Sequence, residues 1–276
     1  MRKIALVTGA SSGIGEATVR QLLKDGYKVY AAARRVEKMA PLASAGATVL
    51  ALDLTQDASI VTAVEAIKTM DARLDILVNN AGYGSLGALE DVPLDEARRQ
   101  CEVNLFGLAR LCQLALPMMR AQKFGKIVNV TSIGGKLGTP FGNWYHATKF
   151  AVEGLSDCLR MEVKPFGIDV ILIEPGAIAT EWAGIAHESL VARSGDTAYG
   201  PYARKCAAML ASPNLDKLAS KPEVVAKTIA RAIAAKRPKT RYASGGGAQI
   251  FLGLRRILAD HTFDRLMWRI SQSGAA

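Results

Sequence analysis

Four cysteines and three histidines in 276 residues leave little from which to build a metal centre or a disulfide framework. Cys101, Cys112, Cys158 and Cys206 are scattered and form no C-x-x-C pair, which suits reduced thiols held mostly in the core. The histidines do not cluster either, so no metal site is expected. No stretch approaches the roughly 18 uninterrupted apolar residues that a membrane span requires. The opening "MRKIALVTGASSGIG" has too short an apolar run before its glycines to serve as a secretory leader, so a cytoplasmic protein is expected. Internal repeats and low-complexity tracts are missing, and the glycine-rich patch "SGGG" at 244–247 is too short for a domain linker.

Acidic residues are scarce at one end only. Residues 1–203 hold 21 Lys/Arg and 21 Asp/Glu, whereas residues 204–276 hold 14 and 4, so the whole net charge of +10 falls in the last 73 residues. A localised basic surface suits phosphorylated ligands, nucleic acid or an anionic membrane, and most commonly a solvated face. The segment carries no helix-turn-helix, zinc-finger or RNA-binding signature, so no nucleic-acid partner is expected.

What is present is a long, half-hydrophobic chain with a regular rhythm, enough to bury a large core as one domain over 1–276. Short β-branched runs at Ile4–Thr8, Lys28–Ala32, Thr48–Asp53, Asp75–Asn79, Lys126–Thr131 and Asp169–Ile173 are each followed by an apolar pattern of helical period. Runs such as "IALV" and "VILI" are apolar on both faces, as strands of a parallel sheet covered by helices are. The fold class is therefore α/β, a doubly wound Rossmann arrangement of about seven strands, with ligands bound beyond the carboxyl ends of the strands.

Two motifs stand at such ends. "TGASSGIG", residues 8–15, follows the first strand and opens the first helix. Gly9 permits a tight turn, Gly13 lets the backbone approach a pyrophosphate, Gly15 lets helix and strand pack closely, and Ser11, Ser12 and Ile14 complete the phosphate-facing turn. In "NWYHATKFAVEGL", residues 143–155, Tyr145 and Lys149 lie one above the other on a helix, so a phenol and an ammonium share one site. His146 between them points about 100° away and is expected to be surface or packing.

The glycine spacing is G-x-x-x-G-x-G, and it is followed by "NNAG" at 79–82, Asn104, Ser132, Tyr145, Lys149 and "PG" at 175–176. In this order the chain resembles the short-chain dehydrogenase/reductase superfamily, in its single-domain branch, from residue 4 to about 180. The resemblance implies interconversion of a carbonyl and an alcohol by hydride transfer from a nicotinamide cofactor. Tyr145 would transfer the proton, with Lys149 lowering its ordinary pKa of ~10. Ser132 would hydrogen-bond the substrate oxygen, and Asn104 would hold a water connecting Lys149 to solvent. Asn80, Ala81 and Gly82 would line the cofactor groove, Asp53 and Leu54 would contact adenine, and Pro175, Gly176, Ile178 and Thr180 would flank the nicotinamide. Asn79 has a plainer reading, a tie between neighbouring strands.

The second strand ends "VYAAARRVEK", and nothing acidic lies between Asp25 and Glu37. A carboxylate there would accept the ribose hydroxyls of NAD(H), whereas a guanidinium grips a 2'-phosphate in two-pronged fashion. NADP(H) is therefore expected rather than NAD(H), with Arg34 first and Arg35 second.

Beyond this core (1–180), residues 181–220 form the expected substrate wall, with Trp182, Tyr199, Tyr202, Met209 and Leu210 suggesting an apolar pocket. This pattern and the C-terminal extension resemble 17β-hydroxysteroid and retinol dehydrogenase-like members, which implies a lipophilic ketone, aldehyde or alcohol. Residues 221–276 hold a helix over 222–238, a seventh strand at "TRYAS", and a basic amphipathic segment over 249–270. That last segment is expected to pack on the pocket or a partner subunit rather than on a membrane surface. The resemblance implies a homodimer or homotetramer through the helices beginning near Leu94 and Tyr145. A non-catalytic NADP(H)-binding regulator is the alternative, although such relatives lack the Tyr and Lys present here. Sugar-nucleotide epimerases share Y-x-x-x-K but have another glycine pattern.

Overall fold

In a computed structural model, which describes residues 2–274, seven strands form one parallel sheet: β1 (Ile4–Thr8), β2 (Lys28–Ala33), β3 (Thr48–Ala51), β4 (Ile76–Asn79), β5 (Gly125–Val130), β6 (Ile168–Pro175) and β7 (Arg241–Ser244). Their order is β3-β2-β1-β4-β5-β6-β7, all pairs parallel. The helices follow as α1 (Gly13–Lys24), α2 (Ala40–Ser44), α3 (Asp57–Asp71), α4 (Leu94–Cys101), α5 (Gly107–Gln122) and α6 (Asn143–Val163), then α7 (Trp182–Ser194), α8 (Gly200–Leu210), α9 (Pro213–Leu218), α10 (Pro222–Ala234), α11 (Ala248–Ile257) and α12 (Asp260–Ser271). No helix among the described residues is long and apolar enough to cross a membrane.

Alternation along the strands divides the core. Ile4 and Leu6 of β1 pack with Val64 and Ile67 of α3, Leu111 and Met119 of α5, and Val152 and Leu159 of α6. Ala5 and Val7 pack on the opposite face with Val19 and Leu22 of α1 and Val225, Ile229 and Ile233 of α10. Both faces of every central strand are thus dry, which is why these runs read as continuously apolar.

Strand order reverses between β1 and β4, opening a crevice at their carboxyl ends. Its edges are sewn together: the Thr8 hydroxyl accepts from the backbone N–H of Asn80 (3.1 Å) and Ala81 (3.0 Å), and the Asn80 amide donates to the Thr8 carbonyl (2.9 Å). Asn79 does tie strands, donating to Asn129 Oδ1 of β5 (2.9 Å).

Several expected boundaries move. β3 stops at Ala51, because the Asp53 carboxylate instead turns the chain by accepting from the Thr55 N–H and hydroxyl. α10 ends at Ala234, four residues before Pro238: the buried Lys126 ammonium takes the carbonyls of Ile233 and Ala235 and so caps the helix from below. The 249–270 segment is two helices, with Leu258 and Ala259 extended between them. Only Cys112 and Cys206 are buried; Cys101 is half-buried and Cys158 exposed, so the cysteines are less uniformly core than their type suggests.

Candidate active site

Beyond the carboxyl edge of the sheet lies a cleft of about 620 Å³. Every candidate site residue lines it except Gly15 and Asn104, which sit just behind its wall. Close backbone approach makes the floor at the β1–α1 turn. Gly9 has φ +66°, and a methyl group there would stand 2.8 Å from the Asn80 amide; at Gly15 it would stand 2.2 Å from the Gly9 carbonyl oxygen. Only glycine fits either position, and the turn leaves the N-terminus of α1 open to an anion.

Farther along the cleft, Tyr145 and Lys149 project from α6, both buried. Burial pushes the phenol up to about 12, with the Ser132 hydroxyl pulling the other way. Burial also brings the Lys149 ammonium down to about 8, opposed by the Glu153 carboxylate one turn on. The expectation that Lys149 lowers Tyr145 is therefore not met in the free protein. Lys149 Nζ lies 5.9 Å from the centre of the phenol ring and donates instead to the Val130 carbonyl (3.0 Å), so desolvation governs both groups.

Ser132 follows β5 and caps a short turn, its oxygen accepting from the Gly134 N–H (3.0 Å). One lone pair is thus committed to the backbone and the hydroxyl proton is left to donate. Asn104 sits in a π-turn over Glu102–Phe106 between α4 and α5, the helical distortion that a poor helix former there foreshadows. Its amide oxygen accepts from the Tyr83 N–H (3.1 Å), and its nitrogen donates to the Tyr83 carbonyl (3.0 Å) and Thr148 hydroxyl (3.1 Å). This clamps "NNAG" beside α6; an added methyl at Gly82 would lie 3.0 Å from Asn104 Oδ1 and 3.7 Å from Lys149 Nζ.

His146 is a packing group. Its Nε2 accepts from the Thr139 N–H (3.1 Å), which leaves Nδ1–H to donate to the Gly134 carbonyl (2.9 Å). Burial lowers its pKa, so the ring holds its neutral form and fastens the loop beside Ser132.

At the other end, Arg35 bridges the serines of the glycine turn, donating to Ser11 (3.3 Å) and Ser12 (3.0 Å). The side chain of Arg34, one residue earlier, forms no hydrogen bond or ion pair among the described residues, while its charge adds to the Thr55 hydrogen bonds that lower the Asp53 carboxyl against its burial. "PG" and "SGGG" come together: Gly176 donates to the Ser244 carbonyl (2.9 Å), and a methyl on Gly176 would stand 2.1 Å from the Gly246 oxygen. Thr180 lies against Gly13.

One residue escaped the sequence, and two expected features take definite form. Glu153, buried one turn beyond Lys149, accepts from Thr131 and pairs with Lys136 and with Arg241 of β7. Its i+4 spacing from Lys149 was the available signal. Trp182 roofs the phenol, ring centres 5.2 Å apart, with its indole N–H unpartnered. Phe251 of α11 and Met267 and Ile270 of α12 close the cleft, so the basic segment packs on the pocket, leaving Ile250 and Ile257 exposed. Met209 and Leu210 reach the cleft as well, but Tyr199 and Tyr202 do not.

A parallel sheet with a glycine turn at its switch point, and a buried Tyr and Lys beside a half-buried Ser beyond it, defines an NAD(P)-dependent oxidoreductase. The model of the short chain dehydrogenases matches residues 3–189, and the chain belongs to that family. It is 43% identical over 179 residues, 64% of this chain and 65% of the relative, to 3-ketodihydrosphingosine reductase of Bacteroides thetaiotaomicron. It is 33% identical over 282 residues, 97% and 96%, to NADPH-dependent 3-dehydrocapnine reductase of Ornithobacterium rhinotracheale. Among solved structures it is similar to a variant of actinorhodin polyketide ketoreductase with NADPH, at TM-score 0.76 and 30% identity, covering 90% of this chain and 97% of that one.

Proposed function

We propose that the protein is an NADP(H)-dependent reductase of a lipophilic ketone, with Tyr145 as the proton donor. The observation that carries this reading is the Tyr145 phenol, buried in the cleft that Ser132 also lines, with Lys149 Nζ 5.9 Å from its ring and the Trp182 ring 5.2 Å away as a roof; burial keeps it protonated. The cleft suits a dinucleotide because its floor admits no side chain at Gly9 or Gly15; bound there, NADP(H) supplies the hydride. Ser132 and Tyr145 grip the carbonyl oxygen, and the charge that develops on it is met by the phenol proton. Lys149, near Gly82 and Asn104, restores that proton from the side away from the substrate. Trp182, Phe251 and Met267 exclude water from the reacting carbon.

Arg35 and Arg34 support the phosphorylated cofactor, since no carboxylate from the β2 loop occupies their place. Relatives named 3-ketodihydrosphingosine reductase and NADPH-dependent 3-dehydrocapnine reductase support a ketone substrate and the phosphorylated cofactor, and the apolar walls of the cleft support a lipophilic one. The catalytic set speaks against the regulator reading. Exposed Leu94, Phe106, Phe150 and Met161, on α4, the π-turn and α6, support assembly with further copies through those helices; light scattering in solution reads the number. The test of function is an NADPH-oxidation screen over 3-keto lipids, steroids, retinoids and small ketones. Wild type turns over a lipophilic ketone and Tyr145→Phe does not; equal inertness of both across the panel refutes the reading.

A further inference from the structure

The Arg35 guanidinium already holds an anion. Glu181, the residue before α7, places Oε2 within 2.8 Å of Arg35 Nη2 and 3.2 Å of the Ser12 hydroxyl, and Oε1 3.3 Å from Lys38 Nζ. Its carboxyl is driven down to about 2, chiefly by Arg35, so it is charged at any working pH. These donors come from two loops, after β1 and after β2, and Glu181 reaches them from a third, after β6. Ser12 is also the N-cap of α1, whose positive end adds to the attraction.

We propose that Glu181 is a cofactor-discriminating residue: its carboxylate fills the anion site of Ser12, Arg35 and Lys38 in the free protein and competes there with the 2'-phosphate of the adenosine ribose. This deepens the NADP(H) reading and rests on it. The contest favours the phosphate. All three partners of the ion pairs are 41–48% exposed, and pairs so open to water are weak. A phosphate monoester near neutral pH carries more charge than a carboxylate and offers three oxygens to the same guanidinium and ammonium. A cofactor without that phosphate brings nothing to this site that expels Glu181.

Displacement reaches the substrate end, because Glu181 is flanked by groups that matter there. Thr180 leans on Gly13, and its hydroxyl accepts from the Trp182 N–H (3.3 Å). Trp182 covers Tyr145 and is itself wedged against Gly84, where an added methyl would stand 2.5 Å from the indole. Releasing the carboxylate therefore loosens the start of α7, the element that roofs the phenol, so the phosphorylated cofactor opens the pocket before the ketone enters.

Calorimetric titration of wild type and Glu181→Gln with adenosine 2',5'-bisphosphate and adenosine 5'-diphosphate separates the possibilities. Removing the competitor tightens the bisphosphate by about two- to fivefold, the scale of a half-exposed ion pair. The 5'-diphosphate changes by less than about 1.3-fold, and the effect on the bisphosphate vanishes in an Arg35→Met background. A bisphosphate affinity that is unchanged or weakened by Glu181→Gln overturns the proposal, as does an equal gain for both ligands, which places the competition at the diphosphate. A wild type that does not prefer the bisphosphate refutes the NADP(H) reading instead. Where Glu181→Gln does not fold, the Glu181→Asp protein, with a shorter reach, carries the same expectation at smaller size. In a Trp144→Phe, Trp268→Phe protein the bisphosphate, and not the 5'-diphosphate, shifts Trp182 emission; an unmoved emission overturns the release of α7.

Discussion

The two ends of the cleft are built by opposite means. At the β1–α1 turn the walls are backbone: Gly15 touches Gly9, Asn80 laces β4 to β1, and no side chain can be added without collision. Over Tyr145 the walls are side chains gathered from α7, α8, α11 and α12, among them Trp182, Met209, Phe251 and Met267. A backbone-built site tolerates almost no change and serves one ligand class. A side-chain-built pocket repacks, so its tolerance is wide and its ligand is set by volume and polarity.

Four substitutions sharpen that contrast. The largest effect falls where the two ends meet: Lys149→Met lowers kcat/KM about 10²- to 10⁴-fold. In wild type, kcat/KM for NADPH, which reports the free protein, falls as pH rises through about 8, where Lys149 gives up the proton that a reduction needs. A profile with the same limb in Lys149→Met contradicts this assignment. At the backbone-built end, Gly15→Ala costs ~1–3 kcal/mol of overpacking and weakens nucleotide binding roughly 10- to 100-fold by calorimetry. At the side-chain-built end, Trp182→Ala raises KM for a lipophilic ketone about tenfold and leaves the NADPH Kd within about twofold. Equal losses of both constants in either variant erase the distinction between the ends.

The smallest effect is on stability. His146→Gln removes the Thr139–His146–Gly134 clamp at a cost of ~1 kcal/mol, read by chemical denaturation. His146 has its pKa lowered in the fold, so the unfolded chain takes up the proton first. Its contribution is complete above the ordinary histidine range, near 6.5, and is lost as pH falls below it. The variant therefore loses less stability than wild type between pH 7 and 5.

The same contrast explains what the sequence disclosed. All seven strands and the glycine turn were legible because backbone constraints leave fixed spacings: Gly9, Gly13 and Gly15 after β1, Asn80 after β4, Tyr145 and Lys149 on one helical face. Trp182 and Met209 could be named only as apolar residues in a segment, since nothing local says which of Trp182, Tyr199 and Tyr202 turns inward. Glu181 was invisible because its meaning lies in Arg35 and Lys38, more than 140 positions earlier. The mutual pKa effect of Tyr145 and Lys149 misled for a related reason: helical spacing gave their proximity, but burial, which only the closed cleft reveals, decides the sign.

The most direct test of Tyr145 as proton donor couples two readouts on one variant. NADPH binding and single-turnover NADPH oxidation with a lipophilic ketone are measured for wild type and Tyr145→Phe at neutral pH. The variant binds NADPH within about twofold of wild type and transfers hydride ~10²- to 10⁴-fold more slowly. Equal rates in the two proteins, or loss of binding together with rate, contradict the account.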